Sequence, residues 1–277
     1  MTVFQKVVKY LAFALAIALV VAIIGGALSV IGLFGGLFDG EDLTGELKTY
    51  PVNGEIEIRN LEIEVNAADL CIKEGDSFSV ESNLKKLKVE EKNGHLIVKD
   101  TAKNSIWGSG SYKDPVLTIY VPKGTVFENI DLTTGAGRLR VDTLSAESID
   151  LELGAGEVTI ENLIATRSAD IDGGAGQITV KGGALNCLDI DMGVGELDLT
   201  SVLSGDCKLD MGVGEANITL IGSKDDYRLD IEKGIGSISV DGKDVSDYGS
   251  SGNGANRVEI HGGIGAINVR FEEISVE

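Results

Sequence analysis

The sequence predicts an all-β protein. It reads as a parallel β-solenoid (β-helix-like) of roughly 7–8 rungs, with an N-terminal antiparallel hairpin excursion and one transmembrane helix in front. Three observations carry this. Gly-x-Gly, with x small or β-branched, begins at Gly135, Gly154, Gly174, Gly193, Gly212, Gly234 and Gly263. Successive first glycines stand 19, 20, 19, 19, 22 and 29 residues apart. Apolar residues alternate on both sides of each copy, which is the period of a strand.

The N-terminal region is of another kind. From Tyr10 to Phe38 there is no charged residue, a run of 29. A membrane-spanning helix needs about 20 apolar residues, and the apolar part of a signal peptide is only about 7–15 long. Val7 to about Val30 is therefore expected to span a membrane. Lys6 and Lys9 precede the span, and basic residues mark the cytoplasmic side. The expected organisation is residues 1–38 as cytoplasmic stub and transmembrane helix, and 39–49 as linker. Residues 50–271 form the solenoid domain, divided into 50–126 (capping rung and hairpin excursion) and 127–271 (Gly-x-Gly repeats). Residues 272–277 are a tail. The expected location is the cell membrane, single-pass, with the C-terminal domain extracytoplasmic.

A degenerate repeat opens the domain. Leu61, Ile63 and Val65 alternate, Asn66-Ala67-Ala68 stands where Gly-x-Gly would be, and Leu70 and Ile72 follow. Terminal rungs are commonly atypical, so this one is read as the N-terminal cap. The period then lapses. Strands are expected around Phe78–Val80, Leu87–Val89, Leu96–Val98 and 117–121, with Asn93-Gly94 as a hairpin turn. Residues 101–114, which hold Trp107, and 241–256 are expected to be exposed loops.

Each full repeat reads as strand, glycine corner, strand, loop. Ile149, Leu151 and Leu153 precede Gly154, and Val158 and Ile160 follow it. The phase slips by one residue across the corner, which marks a bend that keeps the apolar side inward. One such rung has too small a core to stand alone, so the rungs must stack in parallel. The glycines supply backbone angles or close approaches that a Cβ would block.

The polar positions before the corner form two acidic rows. Four residues before the first glycine stand Asp131, Asp150, Asp170, Asp189, Lys208, Asp230 and Glu259; two before it stand Thr133, Glu152, Asp172, Asp191, Asp210, Glu232 and His261. Stacking puts these side chains about 4.8 Å apart on the solvent face of one sheet. Such a face discourages edge aggregation, and it also suits a cation or a cationic polymer. The calcium β-roll pattern wants Asp two residues after the corner, where this chain has Leu139, Val158, Ile178, Leu197, Ala216, Ile238 and Ile267. No metal or cofactor is expected.

The net charge of −20 excludes nucleic acid as a partner. Catalysis finds no support: Gly-x-Ser-x-Gly and His-Glu-x-x-His are absent, and His95 and His261 lie far apart. No catalytic residue is assigned and the chain is expected not to be an enzyme. Three cysteines make no disulfide framework. Cys207 falls on a core position and Cys187 on the opposite face, so their side chains are expected to diverge.

In the Val121-Pro122-Lys123-Gly124 turn, the following Thr133-Thr134-Gly135-Ala136-Gly137, and the repeated acidic rungs with Gly-x-Gly, the chain resembles the bacterial "putative adhesin" family of domains of unknown function. The likeness covers about residues 50–271. It implies a short membrane anchor plus a β-solenoid-like domain and carries no catalytic residues. The expected role is a cell-surface binding or scaffold module, touching the membrane through its N-terminal helix and meeting envelope polysaccharide or membrane proteins. An envelope-stress sensor or regulatory partner of membrane signalling proteins is the second reading. A polysaccharide-processing enzyme is the third, and the scarcity of aromatics on the repeats counts against it.

Overall fold

Inward-facing aliphatics set the architecture. A computed structural model describes residues 42–52, 57–102, 111–232, 234–245 and 249–273. The chain is all-β, and its strands share one sheet wound around a single aliphatic core that runs from Ile58 to Val269. The strands are β1 (Thr44–Pro51), β2 (Asn60–Gly75), β3 (Ser79–Leu84), β4 (Leu87–Lys92), β5 (His95–Asp100), β6 (Val116–Pro122), β7 (Phe127–Val180), β8 (Gly183–Asn186), β9 (Leu188–Ser204), β10 (Asp206–Ile221), β11 (Tyr227–Glu232), β12 (Ile235–Val240), β13 (Lys243–Asp244), β14 (Gly249–Ser251) and β15 (Asn256–Glu272). The long β7 is 54 residues of extended chain that bends through successive corners without losing its pairing.

The repeats pair in parallel and in register. Gly176 lies opposite Gly195, Gly195 opposite Gly214, and Gly214 opposite Gly265. The apolar residues on both sides of each corner point inward: Leu151, Leu153, Val158 and Ile160 are all buried. The turn of chain expected as a loop is a third strand segment. Leu163 pairs with Gly183, and Ala184 with Val202, while Leu163, Ala165, Leu185 and Leu203 are buried. Only about two inward residues per turn mark that side, too few to show a period in sequence.

The corner glycines are dictated by the neighbouring rung. A Cβ on Gly154 would sit 2.1 Å from the carbonyl oxygen of Gly135, and one on Gly195 would sit 1.7 Å from that of Gly176. The second glycine is doubly constrained, because its φ is positive, +153° at Gly156 and Gly195. The degenerate corner is the exception that explains itself. Its outer neighbour is a rung split into β5 and β6, which pair with β2 at Leu61↔Leu96 and Leu70↔Leu117. β5 ends at Asp100 and β6 begins at Val116, so neither strand pairs with Asn66 at the corner. Asn66 fills the space, its amide donating to Asp100 Oδ2 at 3.1 Å and to the Ala102 carbonyl at 3.0 Å. Tyr112 donates a short hydrogen bond to the same carboxylate. Burial first, and then this bond, pushes the Tyr112 phenol well above its ordinary value.

Four expectations change here. The rung at Asn60–Gly75 is not the end of the stack, since β5 and β6 form a further parallel rung outside it. Antiparallel β4, β3 and β1 cover that rung in turn. Residues 44–49, read as linker, belong to edge strand β1, which pairs with β3 across a bulge. The stretch 241–256 carries the short strands β13 and β14. The last repeat is also out of order: β15 lies between β10 and β11, so the corner at Gly263 sits between those at Gly212 and Gly234. The 29-residue spacing supplies the chain length for that return.

The Asn93-Gly94 hairpin forms as expected, with φ +54° and +77° joining β4 to β5. The expected membrane span lies outside the described residues, as do residues 103–110 with Trp107. Among the described residues no helix is long and apolar enough to cross a membrane. Aromatic pairs plug the two ends of the aliphatic core. Phe78 meets Phe127 at 6.2 Å near one end, and Tyr227 meets Phe271 at 5.8 Å near the other.

Gly195 and Gly124 share positive φ but differ in what surrounds them. Gly195→Ala is expected to abolish cooperative folding or cost more than about 4 kcal/mol, because backbone would have to move. Gly124 has φ +79° with nothing within 4 Å of its missing Cβ; Gly124→Ala is expected to cost only about 1–3 kcal/mol of backbone strain. Urea unfolding of the two variants measures the difference.

Candidate binding surface

Strand alternation puts the residues two and four before each corner on the outside of one sheet, and register stacks them. In spatial order the rows run Glu62 and Glu64, Asp131 and Thr133, Asp150 and Glu152, Asp170 and Asp172, Asp189 and Asp191, Lys208 and Asp210, Glu259 and His261, then Asp230 and Glu232. The sequence rows are thus brought together as predicted, with two changes. Glu62 and Glu64 extend them at one end, and the rung carrying Glu259 and His261 precedes the one carrying Asp230 and Glu232.

The two ends are neutralised. At the first, Lys99 Nζ lies 2.6 Å from Glu62 and 3.2 Å from Glu64. At the other, Lys208 pairs with Asp210, and His261 lies 2.6 Å from Asp210 and 3.0 Å from Glu259. Arg257 reaches Asp230 at 2.6 Å and Glu259 at 3.0 Å. The centre is not neutralised. Among the described residues Asp150, Glu152, Asp170 and Asp172 have no ion pair.

Proton affinities follow this pattern. Partial burial first, and then neighbouring carboxylates, raises the pKa of Asp131, Asp150, Asp170 and Asp191 above the ordinary value of 3.8. Asp210 goes the other way: burial pushes it up, and hydrogen bonds from Lys208 and His261 outweigh this and hold it low. Arg257 holds Asp230 low.

The sheet face after the corner mixes carboxylates, among them Glu196, Asp198 and Glu215, with neutral side chains that bond along the stack. Ser239 donates to Asn268 at 2.8 Å, Asn268 to Asn217 at 2.9 Å, and Asn217 to Asp198 at 3.0 Å. This chain of neutral donors ends on a carboxylate and zips the rungs together. Between the faces runs a ridge made of the middle residues of the corners. It grows from Ala136, Ala155 and Ala175 through Val194 and Val213 to Ile264 and Ile235, the last two 36% and 63% exposed.

Strand spacing spreads the carboxylates in lines. Among the described residues no group of three or more His, Cys, Asp or Glu converges to hold a metal ion. The concave space under the corners is lined mainly by glycine backbone and aliphatic side chains such as Val65, Leu139, Ile178 and Met192. His95 is exposed at the β4–β5 turn, and His261 belongs to the acidic face. Cys187 is exposed, Cys71 and Cys207 are buried, and all three are free thiols. Sequence reasoning missed the Asn66–Asp100–Tyr112 cluster because its members are 34 and 46 residues from Asn66 and belong to no repeat.

The sign of the pH response follows. Carboxylates raised in the folded chain favour folding once protonated, so their contribution grows as pH falls from neutral toward 3.8. The lowered Asp210 and Asp230 lose their contribution below that point. Thermal stability is expected to rise on mild acidification and fall at stronger acid, a profile calorimetry reads directly. Asp170→Asn is expected to stabilise at pH 7 by up to about 1 kcal/mol, the scale of one carboxylate pair at strand spacing in water.

The family model described as Toastrack DUF4097 matches residues 58–270. None of the curated proteins matches the chain. Among solved structures, a putative cell adhesion protein from Clostridium sporogenes is 16% identical, with 82% of this chain and 99% of that chain covered and a TM-score of 0.31. A putative adhesin from Bacteroides fragilis is also 16% identical, covering 83% and 100%, with a TM-score of 0.38. A putative lipid binding protein from Parabacteroides distasonis is 14% identical, covering 81% and 96%, with a TM-score of 0.34. These likenesses are too distant to carry a residue or an activity across. The family match spans most of the chain and takes in both the degenerate rung and every Gly-x-Gly corner: the chain belongs to the Toastrack DUF4097 family.

Proposed function

We propose that the chain is a membrane-anchored, extracytoplasmic binding module that holds a positively charged envelope component on its acidic face. One observation carries the reading. Salt bridges gather at the two ends of the acidic face, whereas between them Asp150, Glu152, Asp170, Asp172, Asp189 and Asp191 stand together with no ion pair among the described residues. Keeping like charges about 4.8 Å apart costs stability, so their retention favours a use outside the fold. The uncharged run from Tyr10 to Phe38, with lysines ahead of it, supports the anchor and its orientation. The spread of the face over several rungs suits an extended polymer or a protein surface better than a small molecule, and the proposal assigns no catalysis.

The test is a pull-down of the soluble domain, residues 42–277, on envelope polysaccharide and on detergent-solubilised membrane proteins. Retention should weaken at high salt. It should fall about tenfold in the triple variant Asp150→Asn, Asp170→Asn, Asp172→Asn, matching the loss of about 1.4 kcal/mol of charge attraction. No retention on either material, or equal retention of the variant, contradicts the proposal. Capture of a membrane signalling protein through another face would favour the regulatory reading instead.

A further inference from the structure

We propose that β15 is an exchangeable strand, and that the partner it suits is a second copy of this chain. In the exchanged dimer the β15 of each copy fills the slot between β10 and β11–β12 of the other. The geometry begins with connection length. The link from β9 to β10 is the single residue Gly205, and the next rung stacks directly. The link from β10 to β11 is built differently. Residues 222–226 include a one-turn 3-10 helix, Lys224–Asp226, fastened by a capping box in which Ser223 and Asp226 exchange hydrogen bonds. This turn sets β11 one strand width away from β10 and leaves a slot between two strands adjacent in sequence.

β15 occupies that slot and is paired along both edges. Against β10 the register runs from Asp206↔Arg257 to Ile221↔Glu272. On the other edge it pairs with residues 227–232 and 235–240. Its corner matches those on both sides, because a Cβ on Gly265 would sit 1.6 Å from the Gly214 carbonyl oxygen, and one on Gly236 1.6 Å from that of Gly265. A strand taken from elsewhere would need the same Gly-x-Gly spacing and inward Val258, Ile260, Ile267 and Val269. A second copy supplies these by identity.

The hinge is short and tight. Residues 252–255 carry the chain from β14 on the outer edge of β11, past the start of that strand, and into the slot. Gly252 has φ +89°, and its missing Cβ would lie 2.3 Å from the Tyr227 carbonyl oxygen; that of Gly254 would lie 2.1 Å from the Asp226 carbonyl carbon. Glycine accommodates this path without strain, and a hinge of four residues is short enough that added strain would favour exchange. Swapping an identical element keeps its contacts and so costs little. Arg257 with Asp230, His261 with Asp210, and Asn268 with Asn217 would re-form between copies. The net charge of −20 opposes dimerisation, so exchange belongs where copies are crowded. Only the cell-surface consequence, contact between anchored copies, rests on the binding reading above.

The test uses full-length chains in detergent. One chain carries Asn217→Cys and the other Asn268→Cys, each with Cys187→Ser to remove the exposed thiol. The two positions are register partners across β10 and β15. The chains are refolded together and mildly oxidised. A disulfide between the two chains is expected, increasing with concentration. Gly254→Ala in both chains is expected to raise it by at least about tenfold, since the added Cβ would meet the backbone of Asp226 and Tyr227 in the closed monomer. Inserting four Gly/Ser residues after Asn253 is expected to lower it by a similar factor. A single chain carrying both cysteines should cross-link within itself, reporting correct seating of the strand. The proposal is overturned if that internal link forms and no inter-chain link appears at any concentration. It is equally overturned if the inter-chain link ignores both hinge changes, or if the internal link never forms. No envelope component is present, so failure here is separate from failure of the pull-down.

Discussion

The structure depends on backbone meeting backbone at the Gly-x-Gly corners. Elsewhere in the stack the inward side chains are aliphatic, and such cores tolerate exchanges of similar volume. At the corners, the carbonyl of one rung lies where the Cβ of the next would be. This ties the register of each Gly-x-Gly rung to the rung before it, because a side chain at the corner would meet that rung's backbone, whether it carries glycine or, as at Asn66 and Ala68, other residues. Register then decides the rest. It aligns the buried aliphatics into continuous inner rows and, by alternation, the carboxylates and amides into continuous outer rows.

The same constraint makes the two outer faces unequal. Before the corner, alternation exposes acidic residues whose repulsion the register cannot relieve. After the corner, carboxylates such as Glu196 and Glu215 are interspersed with Asn217, Asn268 and Ser239, which bond along the stack. The cations that would offset the acidic face are concentrated at its two ends, on the first repeat's neighbour Lys99 and on Lys208, Arg257 and His261. Stability is thus supplied by the core, the corners and the amide row. The acidic centre opposes it, and this separation lets a surface be used for binding without being needed for the fold.

Much of this was legible in sequence because the repeat writes its geometry locally. Gly-x-Gly, the phase slip and the alternating Asp and Glu lie within about ten residues of each corner, and register multiplies them. What stayed hidden is non-local. The third side of each turn has too few inward residues to display a period. The split rung of β5 and β6 looked like an antiparallel excursion, since Leu96–Val98 and 117–121 carry no glycine corner. Asn66 in place of glycine looked like decay of the repeat, and it is a filled gap. The insertion of β15 between β10 and β11 depends on the capped turn after Ile221, and neither strand's pattern states its neighbour. For the binding face, the rows were readable. Their neutralised ends were not, because Lys99 lies outside the repeats and Arg257 and His261 pair across the out-of-order strand.

Hydrogen exchange across the corners reads whether backbone contact there holds the rungs in register. If glycine-over-glycine contact holds the rungs in register, the amides of peptides spanning residues 153–158, 173–178 and 192–197 should exchange only through global unfolding, at the same rate as the core segments beside them. Corner amides that exchange through local opening, while Leu151, Ile171 and Ile190 stay protected, would contradict it.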